Sequence, residues 1–337
     1  MHLSTSNSKC AALAYVKVVS LICIAFLIAV EAISVYLQQH HSVQYRRVSQ
    51  QVAQAIGARP AGPGKPTSVV LIGNSLFLAG VQADRLEELT TSVKIYPIFL
   101  EATGYYDWLY ALQRIFRYGA RPQVVVVQLE ANSLLWNKVR PEYSPMFFFD
   151  AADVLRVGSD LGLDRTAKSN LLLAHWSLFW STHSEFRIQI LRHTIPHYKE
   201  LAFIQLFFSL TQTERNTTSG SGFEATLEDR LKTISQLCGA YGAKVIMLAP
   251  PTPLPEENIR KLVIVSQRIG VAALAPLNHK ELTAAHYQID GFHLNEKGAA
   301  LFTSAIARSI GPLLTSPQTA ATVDNKCRAT EVNSRSC

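Results

Sequence analysis

Short apolar runs alternate with amphipathic stretches along most of this chain of 337 residues. The runs are rich in β-branched residues and have the length of buried strands, and the stretches between them show helical spacing. Strands that alternate with helices predict an α/β fold, in which a parallel sheet is covered on both faces. The predicted strands are 68–72, 93–100, 123–129, 243–248 and 271–274, and the predicted helices are 81–89, 105–118, 227–241, 256–269 and 295–310.

The first hydrophobic segment has a different pattern. Residues 18–30 carry no charge, and with 32–37 they give roughly 20 apolar positions, enough to cross a bilayer core at 1.5 Å per residue. The small-x-small candidate that follows, Ala32-Ile33-Ser34, is a poor cleavage site because the bulky Val35 comes next. We therefore expect an uncleaved transmembrane signal anchor rather than a cleaved signal peptide or a buried helix. Glu31 lies near one end, where its side chain is expected to reach the membrane interface.

The distribution of positive charge bears on topology and on partners. Lys9 and Lys17 favour a cytoplasmic N-terminus, whereas Arg46 and Arg47 oppose it. We expect a single-pass anchor with the bulk of the chain in the periplasm or outside the cell. Lys and Arg together number 32 against 25 Asp and Glu, but they form no dense run. This excludes an obvious nucleic-acid site, and the excess positive charge is either diffuse or a source of mild attraction to anionic lipid or polysaccharide.

The middle of the chain interrupts the alternation of strands and helices. Residues 134–223 are rich in Phe and Trp and are expected to form a helical insertion. These aromatic side chains would build a small core of their own, or form a lid or a face for a membrane partner. The expected organisation is a transmembrane region over 1–37, a linker over 38–67, a hydrolase-like domain over 68–133 and 224–312, the insertion, and a disordered tail over 313–337.

Residues with chemical potential follow the predicted strands, and ligands bind at the carboxyl ends of the strands in an open parallel sheet. Each residue alone is a weak signal, since serine and asparagine are common in turns and as helix caps. Four such groups, however, occur in order along the chain. They are Gly73-Asn74-Ser75-Leu76, Thr103-Gly104, Glu130-Ala131-Asn132-Ser133 and Asp290-Gly291-Phe292-His293.

Together these groups predict a serine nucleophile and its partners. Ser75 would attack an ester, and His293 would act as the base that a serine hydroxyl requires. Asp290 lies three residues before His293, where its carboxylate can fix the imidazole tautomer. The Ser75 amide, the Gly104 amide and the Asn132 side chain are the predicted oxyanion-hole donors, each worth about 10²–10³ in rate.

These residues resemble the four conserved blocks of the SGNH (GDSL-type) hydrolases. Ser75, Gly104, Asn132 and the Asp290-x-x-His293 motif match one block each. The first block has Asn74 where Asp is commoner, and the third block departs from its usual Gly-x-Asn-Asp. The resemblance implies a flavodoxin-like three-layer α/β/α sandwich with a parallel sheet. An anchored member of this layout is similar to proteins that O-acylate extracytoplasmic polysaccharides beside a membrane-bound O-acyltransferase.

The expected function is therefore an SGNH-type serine esterase or acyltransferase that acts on acylated carbohydrate or another acyl ester. The alternatives are a general lipase or esterase of the same family and a non-catalytic scaffold partner of a membrane acyltransferase. We expect no cofactor and no metal, because the histidines of the insertion lack an H-E-x-x-H pattern and no phosphate-binding loop is present.

Overall fold

The computed structural model describes residues 6–62, 64–90, 92–196, 222–253 and 256–315. The strands are β1 (Thr67–Gly73), β2 (Val93–Phe99), β3 (Val124–Gln128), β4 (Lys244–Leu248) and β5 (Ala272–Leu274). The α-helices are α1 (Ser6–His41), α2 (Val43–Ile56), α3 (Ser75–Gly80), α4 (Ala83–Thr90), α5 (Tyr105–Arg117), α6 (Ala131–Leu135), α7 (Ser144–Phe147), α8 (Ala151–Asp160), α9 (Arg165–Trp176), α10 (Leu178–Thr194), α11 (Phe223–Ala240), α12 (Glu256–Arg268) and α13 (Glu296–Thr315). Short 3₁₀ helices cover His279–Glu281 and Ala284–His286.

The strands form one parallel sheet in the order β2-β1-β3-β4-β5. This is the flavodoxin-like order, in which the chain reverses its direction of growth beside β1 and leaves a crevice at the carboxyl ends of the strands. Each of the predicted strands is present, with ends that agree to within about two residues. The α/β fold with a parallel sheet is confirmed.

Alternating side chains of the strands face two separate cores, which makes the molecule three layers thick. Val70 and Ile72 face one core, together with residues of α2, α5, α11 and α12. Val69 and Leu71 face the other, together with Phe302 and other residues of α4 and α13. All four of these β1 side chains are fully buried, as expected for a central strand of a parallel sheet.

The outer edge of β2 is protected along its length. The Ile95 amide donates to Glu87 Oε1 at 2.7 Å, and the Phe99 amide donates to Gln51 Oε1 at 3.1 Å. Pro97 lies between these two positions and has no amide hydrogen to satisfy. Pro97 is therefore tolerated in this strand because it lies at the edge of the sheet.

Residues 38–67, which the sequence predicts as a linker, belong largely to helices. Helix α1 continues to His41, and Val48, Val52 and Ala55 of α2 are buried against the domain. Helix α2 begins beside the carboxyl end of β2, where Arg47 donates to the Phe99 carbonyl. Past its other end, the Ala58 carbonyl accepts from the Arg121 amide just before β3 begins. The chain therefore enters the domain near the carboxyl ends of the strands, where Ser75 also lies.

Helix α1 is long and apolar enough over Ala12–His41 to cross a membrane. Residues 12–29 are exposed on every side, whereas Ser34 and Gln38 are buried against the rest of the molecule. By length and composition alone, a membrane anchor and a signal sequence both fit such a helix.

The described part of the insertion is helical and packs on the domain. The three consecutive aromatic residues 147–149 are buried in the same core as α5 and β3, so they do not form a separate core. Trp176, Phe179 and Trp180 are instead exposed. Residues 197–221 of the insertion lie outside the described residues. Of the predicted tail, residues 313–315 complete α13, and 316–337 lie outside the described residues.

Candidate active site

Ser75 lies at the junction of β1 and α3, at the carboxyl end of an inner strand of the sheet. Asn74 caps α3, since its Oδ1 accepts from the Leu76 amide at 2.9 Å. Gly73 permits this sharp turn, because a Cβ there would come within 2.6 Å of Gln128 Oε1 and 2.7 Å of the Phe77 ring. The turn leaves the Ser75 side chain partly exposed above a buried strand.

His293 reaches Ser75 from a loop that precedes α13. Its Nε2 lies 2.9 Å from Ser75 Oγ, and its Nδ1 lies 2.6 Å from Asp290 Oδ2. Asp290 Oδ1 accepts from the Phe292 and His293 amides at 2.9 and 3.0 Å. The structure thus brings together three side chains that are up to 218 positions apart in sequence.

Hydrogen bonds and close packing hold the loop that carries Asp290 and His293 on both sides. Gly291 adopts a left-handed φ of 67°, which favours glycine at this turn. Asn295 donates through Nδ2 to the Ala285 and Tyr287 carbonyls and accepts from the first turn of α13. A Cβ at Gly298 would lie 2.2 Å from the His286 carbonyl, so the backbone of α13 packs directly against this segment and leaves no room for a side chain.

The charge state of Asp290 fits a base-orienting role. Partial burial raises its pKa, but the hydrogen bonds from His293 and the two backbone amides outweigh burial and hold the pKa below the ordinary value. The carboxylate is therefore ionised at neutral pH and accepts the Nδ1 hydrogen. Nε2 then presents its lone pair to the Ser75 hydroxyl, as a general base requires.

The predicted oxyanion residues lie just after three neighbouring strands, but their hydrogen bonds differ. Gly104 caps α5, and its amide donates to Asp107 Oδ2 at 3.0 Å. That amide would have to leave Asp107 to contact an oxyanion. A Cβ at Gly104 would come within 2.5 Å of the Ser133 carbonyl, so close packing explains the glycine. Asn132 lies in α6 with a partly exposed side chain, and the Ser75 amide belongs to the first turn of α3, which has no intrahelical acceptor.

A buried hydrogen-bond network, which the sequence motifs did not predict, joins the first and third sequence blocks. Asn74 Nδ2 donates to Ser133 Oγ at 2.7 Å, and Ser133 Oγ donates in turn to Glu130 Oε2. Glu130 also accepts from the amides of Asn132 and Ser133, at 2.9 and 2.8 Å. The Asn74 amide donates to Gln128 Oε1 at 3.0 Å. The signal was present in the sequence, because Asn74 and Ser133 are positions where the chain departs from the usual blocks.

Comparisons with known proteins find structural likeness at low identity. The sequence of this chain is 13% identical to that of TesA, whose crystal structure matches with a TM-score of 0.38. The match covers 73% of this chain and 99% of TesA. A protein from Slackia heliotrinireducens described as a candidate SGNH hydrolase is 12% identical, with a TM-score of 0.39 and coverage of 73% and 100%. A GDSL-like lipase from Bacteroides thetaiotaomicron is 12% identical, with a TM-score of 0.41 and coverage of 80% and 98%. No protein-family model and no curated protein sequence matches the chain.

Proposed function

We propose that this protein is a serine-dependent acyl-ester hydrolase or O-acyltransferase of the SGNH type. The observation that carries this proposal is the continuous hydrogen-bonded path from Ser75 Oγ through His293 to Asp290, with distances of 2.9 and 2.6 Å. These distances lie within the range that a nucleophile and its base require.

The first half of the reaction forms an acyl-enzyme. His293 Nε2 takes the hydroxyl proton as Ser75 Oγ attacks the ester carbonyl, and the negative charge moves to the carbonyl oxygen. The Ser75 amide and the Asn132 side chain would stabilise that oxyanion. The bond to the leaving alcohol then breaks, and His293 gives its proton to the departing oxygen.

The second half returns the enzyme to its resting state. A water molecule or a sugar hydroxyl gives its proton to His293 and attacks the acyl group on Ser75. Collapse of the second tetrahedral intermediate releases an acid or a new ester, and the proton returns to Ser75 Oγ. The same residues therefore support hydrolysis and transfer, and the acceptor decides between them.

The proposed substrate is an acyl ester of extracytoplasmic carbohydrate, handled beside a membrane-bound O-acyltransferase. In this proposal α1 is an uncleaved anchor, which its contacts support: Ser34 and Gln38 are buried against the domain, so cleavage would expose the surface that they cover. The chain enters the domain near the carboxyl ends of the strands, where Ser75 lies, and this also supports an acyl donor that arrives from the membrane.

A general lipase or esterase is the second candidate, and one observation favours it. Ile289 is fully exposed beside Asp290, so an apolar side chain stands at the rim of the site. Such a residue would contact a long acyl chain better than an acetyl group. Turnover of p-nitrophenyl esters of increasing chain length separates the two candidates. A preference for long chains supports a lipase, and an acetyl preference with transfer to sugar hydroxyls supports the carbohydrate role.

The decisive experiment is covalent labelling of the full chain in detergent with a fluorophosphonate probe. Wild-type protein should be labelled at Ser75 and should turn over p-nitrophenyl acetate, and Ser75→Ala should lose both activities. Ser92→Ala is a matched control, since Ser92 lies just before β2, at the amino-terminal ends of the strands and away from Ser75. Equal labelling and turnover by wild type and Ser75→Ala would refute the proposal.

A further inference from the structure

Helix α1 changes character at Val30. Residues 12–29 are exposed on every side, which at 1.5 Å per residue corresponds to about 27 Å, close to the thickness of a bilayer core. From Val30 onward one face is covered by the domain, and Ser34 and Gln38 are 2% and 3% exposed. Helix α10 contributes to this contact. The domain therefore begins where a membrane-spanning segment of this length would end.

Glu31 joins α1 to the insertion at this boundary. Its carboxylate accepts from Ser177 Oγ at 2.7 Å, from the Leu178 amide at 2.6 Å and from the Phe179 amide at 3.3 Å. Ser177 is itself the N-cap of α10. The only acidic residue of α1 thus satisfies the first amides of another helix, a more specific role than the predicted snorkelling to the interface.

The chain around Ser177 presents large apolar side chains to the outside. Trp176 is 67% exposed, and Phe179 and Trp180 are 37% and 40% exposed. Leu173 of α9 is exposed as well. We call these four residues the aromatic corner. Because Glu31 bonds to residues 177–179, the corner is fixed at the end of the exposed part of α1.

We propose that the aromatic corner inserts into the lipid interface of the membrane that α1 spans. Tryptophan is enriched at membrane–water interfaces, where its ring is apolar and its N–H reaches water. The corner lies beside the last exposed turn of α1, which places it at the depth of the membrane–water interface. The lipid then covers side chains that would otherwise lie in water. The domain is thereby held against the bilayer at two points, α1 and the corner. The inference rests on the proposed membrane anchor and is independent of the proposed chemistry.

The test uses tryptophan fluorescence of the purified full chain in phosphatidylcholine nanodiscs. One set of nanodiscs carries lipid that is brominated near the top of one acyl chain, and bromine quenches tryptophan at that depth. We expect wild-type fluorescence to be quenched by brominated lipid, and we expect Trp176→Phe with Trp180→Phe to lose most of that quenching. Trp108→Phe should keep it, because Trp108 is buried in the core.

Two outcomes would overturn the inference. If wild-type fluorescence is not quenched, the corner does not contact lipid. A protein partner would then be the alternative cover for it in the cell. Equal fractional quenching of wild type and the double variant would assign the lipid contact to another region. Fluorophosphonate labelling of the same samples is measured in parallel. Loss of labelling with retained quenching would count against the proposed function alone.

A second variant tests the role of Glu31. Glu31→Gln keeps the shape of the side chain but removes its charge, so we expect faster hydrogen exchange at the amides of Leu178 and Phe179 and weaker quenching of the corner. Glu257→Gln is the control, since Glu257 lies on the surface of α12 and pairs with Lys261 of the same helix. Unchanged exchange and unchanged quenching in Glu31→Gln would mean that Glu31 does not position the corner.

Discussion

Asp290 and His293 lie on one loop, three residues apart, and short-range hydrogen bonds fix both of them to each other and to that loop. Gly104 and Asn132 instead follow two different strands, and the contacts that join their segments to each other and to Asn74 link residues distant in sequence. We call the first group, with Ser75, the triad side and the second group the oxyanion side. A short motif can therefore specify geometry only where its partners are local. Elsewhere geometry depends on contacts that no motif records.

The largest expected effect is on the triad side. Asp290→Asn would offer an amide hydrogen to His293 Nδ1 and favour the tautomer that leaves Nε2 protonated, so that Ser75 loses its base. We expect kcat/KM for p-nitrophenyl acetate to fall on the order of 10⁴-fold, with the fold retained. Initial rates and the rate of fluorophosphonate labelling measure this loss.

Glu296→Gln serves as the control for that experiment. Glu296 is an exposed carboxylate in the first turn of α13, close in sequence to His293 but outside the hydrogen-bonded path. Its activity should match wild type. An Asp290→Asn enzyme that kept wild-type activity would show that the triad side does not depend on this carboxylate.

The next effect separates the two oxyanion residues from each other. Asn132→Ala should lower kcat by about 10²–10³-fold and leave stability nearly unchanged. Gly104→Ala should act mainly on stability, by about 1–3 kcal/mol, since its Cβ would meet the Ser133 carbonyl at 2.5 Å. Steady-state kinetics and urea unfolding of both variants test this division.

The opposite pattern would revise the oxyanion side. A Gly104→Ala enzyme of normal stability with a kcat as low as that of Asn132→Ala would mean that the Gly104 amide leaves Asp107 and contacts the oxyanion. An Asn132→Ala enzyme with unchanged kcat would remove Asn132 from the set of donors.

The same contrast explains how much the sequence could predict. The strands and the position of Ser75 followed from apolar runs and from what comes after each run. Helix α2 did not, because Val48, Val52 and Ala55 are its buried apolar positions in a polar stretch, and only tertiary packing decides that such a stretch is a helix. The Asn74–Ser133 bond spans 59 positions, so neither residue alone indicates its partner.

A buried carboxylate on the oxyanion side gives a prediction about pH. Burial raises the pKa of Asp107 to about 6, although hydrogen bonds from Ser144, Arg140 and Gly104 oppose the rise. A carboxyl group with a raised pKa in the folded state contributes stability at low pH, and that stability is lost as the pH rises through the folded value. We expect this group to lower the free energy of unfolding by roughly 2–3 kcal/mol between about pH 4 and pH 6.

Urea unfolding of the full chain in detergent at several pH values tests the sign and the size. Asp107→Asn should remove this decline, and Glu257→Gln should keep it. Asp290 behaves in the opposite sense, since its lowered pKa contributes stability that is lost only at acid pH. If the free energy of unfolding of wild type rose between about pH 4 and pH 6, and that of Asp107→Asn followed the same profile, the prediction for Asp107 would be refuted.

The smallest expected effect tests whether the departures from the usual blocks belong together. Asn74→Asp restores the commoner residue but removes the amide that donates to Ser133 Oγ, and it places a second carboxylate near the buried Glu130. We expect a loss of about 1–2 kcal/mol in the free energy of unfolding, with kcat reduced because Asn132 follows Glu130 in the same turn. Asn74→Ser in parallel gives a shorter cap with no new charge. If Asn74→Asp were as stable and as active as wild type, the network would not position the oxyanion side, and the departures at positions 74 and 133 would be independent of each other.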